Sequence, residues 1–291
     1  MYPAPFEYHV AGSVDEAVTL LARYEDDAKL LAGGHSLIPL LKLRFAQPAH
    51  LIDVRKIPGL AGIREADGAI VIGATTTHWM LESSGLLKKK LPIIPEAASQ
   101  IGDAQVRNMG TLGGSLAHAD PAADLPAVML ALDAQLTAIG PKGSRTIPAT
   151  DFFVGLLTSA LEPNEVLTQI RIPMPPAGTG SAYAKYPHPA SRFALVGVAA
   201  VITLNGDTIE RARVAITGVG PTAARLPAVE QALTGRAAAE ATLAAAAHHV
   251  SDDIEARADL QGSAEYKAQL ASVYAQRALA RAVERAHSAR G

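Results

Sequence analysis

Lys29-Leu30-Leu31-Ala32-Gly33-Gly34-His35-Ser36-Leu37-Ile38-Pro39-Leu40-Leu41-Lys42-Leu43-Arg44 is the stretch on which the fold turns. Lys29 to Ala32 reads as a buried strand that stops at a double glycine. Ser36 stands where a helix N-cap belongs, so a short helix is predicted from Leu37 to Arg44. Adjacent glycines let a backbone approach a ligand and turn its N–H groups outward, and the helix start that follows adds positive partial charge. In physical terms that is a phosphate cradle, although a strand, two glycines and a helix also make an ordinary structural turn. Upstream, Ser13-Val14-Asp15-Glu16 fits a capping box opening a helix that runs to about Tyr24. Downstream, His50 to Val54 reads as the next strand. Together these make a compact βαβ-like unit.

Gly110-Thr111-Leu112-Gly113-Gly114-Ser115 repeats the chemistry, with three glycines, two hydroxyls, and Arg107 and Asn108 just upstream. Two such loops suit a diphosphate better than a single phosphate. Neither fits the dinucleotide fingerprint G-x-G-x-x-G with its spaced acid, nor the P-loop pattern. Gly140-Pro141-Lys142-Gly143-Ser144 holds P-loop letters in the wrong order and reads as a hairpin turn between strands Gln135 to Ile139 and Arg145 to Ile147. His118, Asp120 and Asp124 lie close in sequence, but Asp120-Pro121 reads as a turn and Asp124 as the cap of a following helix. No second cluster completes a metal shell, and no nucleophile set is recognisable. No catalytic or metal-binding residue is therefore assigned. His35, between Gly34 and Ser36, is expected to offer its backbone N–H and a ring contact to phosphate.

Elsewhere Ala69 to Gly73 and Val166 to Ile172 read as strands, and Thr77 to Leu87 and Ile93 to Ile101 as helices. Asp124 to Leu132 is a buried helix or strand. Pro173-Met174-Pro175-Pro176-Ala177-Gly178-Thr179-Gly180 marks a boundary, because proline and glycine at that density sustain neither a helix nor a central strand. Beyond it, Ala194 to Leu204 and Ile209 to Thr217 are strands joined at Asn205-Gly206-Asp207, and Ala223 onward is alanine-rich and helical.

The 291 residues carry a formal net charge of -2, 49% hydrophobic residues and only 4% aromatics. A core of aliphatic side chains is expected. Without long basic runs or interleaved aromatics, nucleic acid is not a partner; Lys88-Lys89-Lys90 reads as a solvated helix end. There is no cysteine, which excludes disulfides, cysteine nucleophiles and any iron–sulfur cluster held by this chain. Met1-Tyr2-Pro3-Ala4-Pro5 has no signal-peptide pattern, and no apolar run reaches the roughly 20 residues that span a bilayer.

Here a family resemblance becomes specific. Ala32 to Arg44, Gln105 to Ser115 and Ala119-Asp120-Pro121-Ala122-Ala123-Asp124 resemble the FAD loops of the medium subunits of molybdenum hydroxylases, the group holding aerobic carbon monoxide dehydrogenase and the xanthine dehydrogenase family. Asp259 to Tyr266 and Arg277-Ala278-Leu279 are similar to its C-terminal region. The resemblance implies an α+β fold: a two-subdomain FAD-binding unit of the vanillyl-alcohol-oxidase/PCMH type, over 1–57 and 58–176, plus a C-terminal α/β domain of the CO dehydrogenase flavoprotein type over 177–291. It implies that Ala32, Gly33, Gly34, His35, Ser36 and Leu37, with Thr111, Gly113, Gly114 and Ser115, hold the FAD pyrophosphate and its neighbours. Asp124 would make a polar FAD contact, Ile101 would pack near the flavin and Lys185 would lie near the ring. Ser115 stands where many relatives have asparagine, and Phe193 where some carbon monoxide dehydrogenases have tyrosine.

The implied function is electron transfer from [2Fe-2S] clusters of a small partner subunit, through FAD, to a quinone, NAD or another acceptor. A large partner would carry the molybdopterin cofactor, in a cytoplasmic dimer of heterotrimers that is at most peripheral to the inner face of the membrane. A carbon monoxide dehydrogenase-like complex leads. A xanthine, aldehyde or N-heterocycle dehydrogenase and a flavin-free assembly protein of the same fold are the alternatives.

Overall fold

In the computed structural model, which describes residues 2–289, three sheets follow one another along the chain. The first contains β1 (Glu7–Val10), β2 (Ala28–Leu31) and β3 (His50–Asp53), all parallel, in the order β1-β3-β2. Between β1 and β2 runs α1 (Val14–Tyr24). Ser13 caps it by accepting from the Glu16 N–H, and the Glu16 carboxylate turns back to the Gly12 N–H. Ala17, Val18 and Leu21 point from α1 into a small aliphatic core with Ala28 and Ile52. The strand β1 was not expected, so the first unit has one parallel strand more than the βαβ reading. The helix α2 (Leu37–Lys42) ends two residues early, and the Ser36 side chain makes no cap bond to it.

The second sheet is antiparallel. It contains β4 (Ile63–Ala66), β5 (Ala69–Gly73), β6 (Gln135–Gly140), β7 (Gly143–Pro148) and, after the small hairpin β8 (Phe153–Gly155) and β9 (Thr158–Ser159), β10 (Val166–Pro173). Their order is β4-β5-β10-β6-β7. The hairpin at 140–143 stands where it was read. Between β5 and β6 come α3 (His78–Ser83), α4 (Gly85–Lys90), α5 (Ile93–Ser99), α6 (Ala104–Met109), α7 (Leu112–His118) and α8 (Asp124–Ala131). Lys88, Lys89 and Lys90 form the last turn of α4. Every residue of α8 is buried, as a helix apolar all round requires. Asp124 does not cap α8; the N-cap is Ala123, and Asp124 is the first helical residue.

The third sheet has β11 (Thr179–Pro187), β12 (Ala194–Asn205), β13 (Thr208–Thr217) and β14 (Ala224–Arg225). β12 is buried along eleven of its twelve residues, because helices cover both faces. Ala199 and Val201 join the core around α8. Val198, Ala200 and Ile202 join a second core with α9 (Pro227–Leu233), α10 (Glu240–Ala247), α11 (Val250–Asp253) and α12 (Ala264–Ser288). Ala271, Ala275, Ala278, Ala282 and Ala286 line the inner face of α12 at helical spacing and are fully buried. A Cβ on Gly180 of β11 would lie 2.1 Å from the Ala282 carbonyl oxygen. The alanine stripe therefore serves close helix-on-sheet packing inside this chain. The stretch 254–263 lies outside the helices of the tail. Arg281 and Arg285 of α12 both pair with Glu96 of α5, and Arg225 and Arg213 pair with Asp133 after α8. These bonds tie the third sheet to the second unit. Among the described residues, no helix is long and apolar enough to cross a membrane.

Candidate FAD site

A cavity of about 460 Å³ opens between the first and second units, outside the carboxyl end of β2. Ligands of parallel sheets bind at that end, where loops converge. Ala32, Gly33, Gly34, His35, Ser36 and Leu37 form one wall. Thr111, Gly113, Gly114 and Ser115 form the facing wall, with Ile101 and Asp124 beside them. Phe193, on the loop after β11, closes another side.

The two loops do not use their glycines alike. In the first, the backbone N–H groups of Gly33, Gly34, His35 and Ser36 have no acceptor among the described residues, so they remain available to an anion, as the double glycine suggested. Gly34 sits at φ +74, which a side chain would strain. Gly33 has a different reason: a Cβ there would lie 2.1 Å from the Met109 carbonyl oxygen. This glycine lets the two loops touch each other rather than the ligand. The His35 ring turns back on its own loop, its Nδ1 lying 3.0 Å from the Gly33 carbonyl oxygen.

In the second loop the N–H groups are already used. Leu112 donates to the Thr76 carbonyl, Gly113 to the Ala74 carbonyl, Gly114 to the Thr111 hydroxyl and Ser115 to the Thr111 carbonyl. What read as a glycine turn is the capped start of α7. A Cβ on Gly113 would lie 2.6 Å from the Ala74 Cβ, so that glycine seats α7 on the end of β5. This wall therefore offers hydroxyls in place of the outward N–H groups expected of it. Arg107 does not reach toward a ligand: its guanidinium holds the Glu82 carboxylate at 2.7 Å and the Ile101 carbonyl at 3.0 Å, bracing the loop.

Behind the wall lies a buried ion pair. The Lys185 ammonium donates to Asp124 Oδ2 at 2.9 Å and to the Gln100 carbonyl at 3.1 Å, and the Tyr183 hydroxyl donates to Asp124 Oδ1 at 2.6 Å. Burial pushes the Asp124 carboxyl up, against Lys185 and Tyr183, which favour the carboxylate. Burial and that carboxylate push the Tyr183 phenol well up, so it stays a donor. Lys185 is not on the cavity surface; its side chain is fully enclosed behind Asp124.

Sequence reading missed Thr75 and His78, which also line the cavity. Thr75 Oγ1 and His78 Nδ1 are buried without hydrogen-bond partners among the described residues. Burial pushes the His78 imidazole down to about 4, with the nearby His35 imidazole and Arg107 guanidinium adding to the effect. A lone histidine after a strand has no local signature; only its approach to Gly110 across the fold places it here. The cavity joins free backbone donors, hydroxyls, an enclosed carboxylate and apolar side chains, a donor set that fits a dinucleotide with a pyrophosphate and a flat ring.

Comparison with known proteins points the same way. Residues 4–175 match the family described as FAD binding domain in molybdopterin dehydrogenase, and residues 181–282 match the CO dehydrogenase flavoprotein C-terminal domain. The chain is 46% identical over 279 residues to the carbon monoxide dehydrogenase medium chain of Hydrogenophaga pseudoflava, covering 96% of this chain and 97% of that one. It is 42% identical to the 6-hydroxypseudooxynicotine dehydrogenase complex subunit alpha of Paenarthrobacter nicotinovorans, covering 98% and 97%. A solved carbon monoxide dehydrogenase from Hydrogenophaga pseudoflava that lacks the Mo-pyranopterin moiety of its cofactor superposes with a TM-score of 0.95 at 48% identity, over 98% of this chain and 99% of that chain. The chain therefore belongs to the FAD-binding medium subunits of the molybdenum hydroxylases, and is a subunit of an oxidoreductase.

Proposed function

We propose that this chain is the electron-transferring flavoprotein subunit of a carbon monoxide dehydrogenase-like complex. It would receive electrons from [2Fe-2S] clusters on a small partner subunit and deliver them to a quinone, NAD or another acceptor. A large partner with the molybdopterin cofactor would oxidise the substrate, and the assembly would be a cytoplasmic dimer of heterotrimers. The observation that carries this reading is the meeting of both glycine loops in one cavity. Bound FAD supplies the junction between one-electron and two-electron carriers.

This chain's residues then divide the work. The free N–H groups of Gly33, Gly34, His35 and Ser36 bind the pyrophosphate, helped by the hydroxyls of Thr111 and Ser115. Gly33 lets the two walls touch and Gly113 seats α7 on the end of β5, while Ala32 and Gly114 line the cavity. Leu37 and Ile101 pack against the cofactor and exclude water. Asp124 would make a polar contact with it, while Lys185 fixes the Asp124 carboxylate from behind. The units 1–57, 58–176 and 177–291 would act as two clasping subdomains and a supporting domain.

The 46% identity to a carbon monoxide dehydrogenase medium chain supports the substrate class. The 42% identity to a subunit of a 6-hydroxypseudooxynicotine dehydrogenase complex favours a second reading, an N-heterocycle dehydrogenase. Phe193 lines the cavity wall, where by the family resemblance some carbon monoxide dehydrogenases have tyrosine, and that departure weighs against a carbon monoxide substrate. Purification of the tagged chain from its native host tests the proposal. Two co-purifying chains with molybdenum and iron, and reduction of an acceptor by carbon monoxide, are expected. Turnover of an N-heterocycle instead would select the second reading, and a chain that purifies alone would refute both.

A further inference from the structure

The first sheet gathers three metal-ligating side chains away from the cavity. Glu7 and His9 are two residues apart on β1 and so project from the same face. Glu7 pairs in register with His50 of β3. His9 Nε2 lies 3.1 Å from His50 Nδ1, and Glu7 Oε2 lies 3.8 Å from His9 Nε2 and 3.5 Å from His50 Nδ1. The Tyr24 ring at the end of α1 stacks on the His50 imidazole, with centroids 3.6 Å apart and planes 16° apart, and so fixes the ring's plane. None of the three residues lines the FAD cavity.

We propose that Glu7, His9 and His50 bind a divalent transition cation of the zinc class. The circle through the three ligand atoms has a radius of about 2.0 Å, against zinc–nitrogen and zinc–oxygen distances of roughly 2.0–2.2 Å, so one point lies at bonding distance from all three. Three corners of a zinc tetrahedron are about 3.4 Å apart, and the observed edges bracket that length. Two imidazoles and a carboxylate suit zinc better than the oxygen-seeking calcium or magnesium. The fourth position is left to water. Because Glu7 and His9 sit on an edge strand and His50 on its neighbour, the cation would staple β1 to the sheet.

The test uses the full flavin-loaded chain, freed of metal with a chelator. Titration with Co²⁺ should give one bound ion per chain with four-coordinate visible bands, displaced by Zn²⁺, and the melting temperature should rise with either metal. Glu7→Gln removes an exposed side chain that the fold does not need, and should weaken Co²⁺ binding at least about 10-fold, the loss expected of even a supporting partner. His9→Gln combined with Glu7→Gln should abolish it, with flavin content unchanged. Absence of stoichiometric Co²⁺ uptake, or uptake that survives the double substitution, would overturn the proposal and leave an imidazole–imidazole hydrogen bond.

Discussion

Gly33→Ala isolates the contact between the two loops. The added Cβ would lie 2.1 Å from the Met109 carbonyl oxygen and 2.8 Å from the Gly110 Cα, both backbone atoms. Ordinary contact begins near 3.4 Å, so the loops must part by about 1.3 Å at the point where they frame the cavity. Forced overpacking of this kind costs about 1–3 kcal/mol. If that cost falls on the FAD-competent arrangement, the FAD dissociation constant rises roughly 5- to 150-fold. Fluorescence titration of the flavin-stripped chain reads the affinity, and denaturant melts read the stability. Gly85→Ala is the control: it starts α4 with open space around its Cα, and should leave both unchanged or add up to about 1 kcal/mol of stability. A Gly33→Ala chain that binds FAD within twofold of the parent and melts at the same denaturant concentration would refute the packing argument.

Three further outcomes follow from buried charge. His78 titrates near 6.5 when unfolded and near 4 when folded. The native state should therefore lose about 3 kcal/mol as pH falls from 6.5 to 4, and His78→Phe should flatten that slope in denaturant melts. Burial alone would raise the Asp53 carboxyl, but the Arg55 guanidinium and the Tyr8 hydroxyl outweigh it and hold the carboxyl at about 2. The stabilisation is present above pH 4 and lost between pH 4 and 2, so Asp53→Asn should cost about 2 kcal/mol at pH 7. Lys185→Met leaves the Asp124 carboxylate enclosed without its counter-charge and should cost about 3–5 kcal/mol; adding Asp124→Asn should recover much of the melting temperature, and equal losses in the single and double variants would contradict the pairing.

Features that rest on neighbouring residues were legible in the sequence. Ser13 and Glu16 announce α1, the glycines at 140 and 143 bracket their hairpin, and the apolar run from Ala194 gives a strand buried on both faces. Features set by distant contacts were not. β11 opens on small and polar residues such as Gly180 and Ser181, and what makes it a strand is its antiparallel ladder with β12, a long-range pairing, with the backbone of α12 pressed on Gly180. β1 is short and exposed at three of its four residues, so nothing in its own letters marks it. The loops were readable as glycine-rich turns, but the use of their N–H groups was not, because the carbonyls of Ala74 and Thr76 that engage the second loop come from the segment just past β5. His78 entered the site for the same reason. Glu7, His9 and His50 meet only once β1 and β3 lie side by side.

The most direct test of the central claim is the flavin content of the purified chain. Denaturation should release FAD, identified by its chromatographic retention, at one molecule per chain, and the flavin-stripped chain should take up one equivalent again. A colourless chain that releases no flavin and shows no saturable FAD uptake would contradict the account.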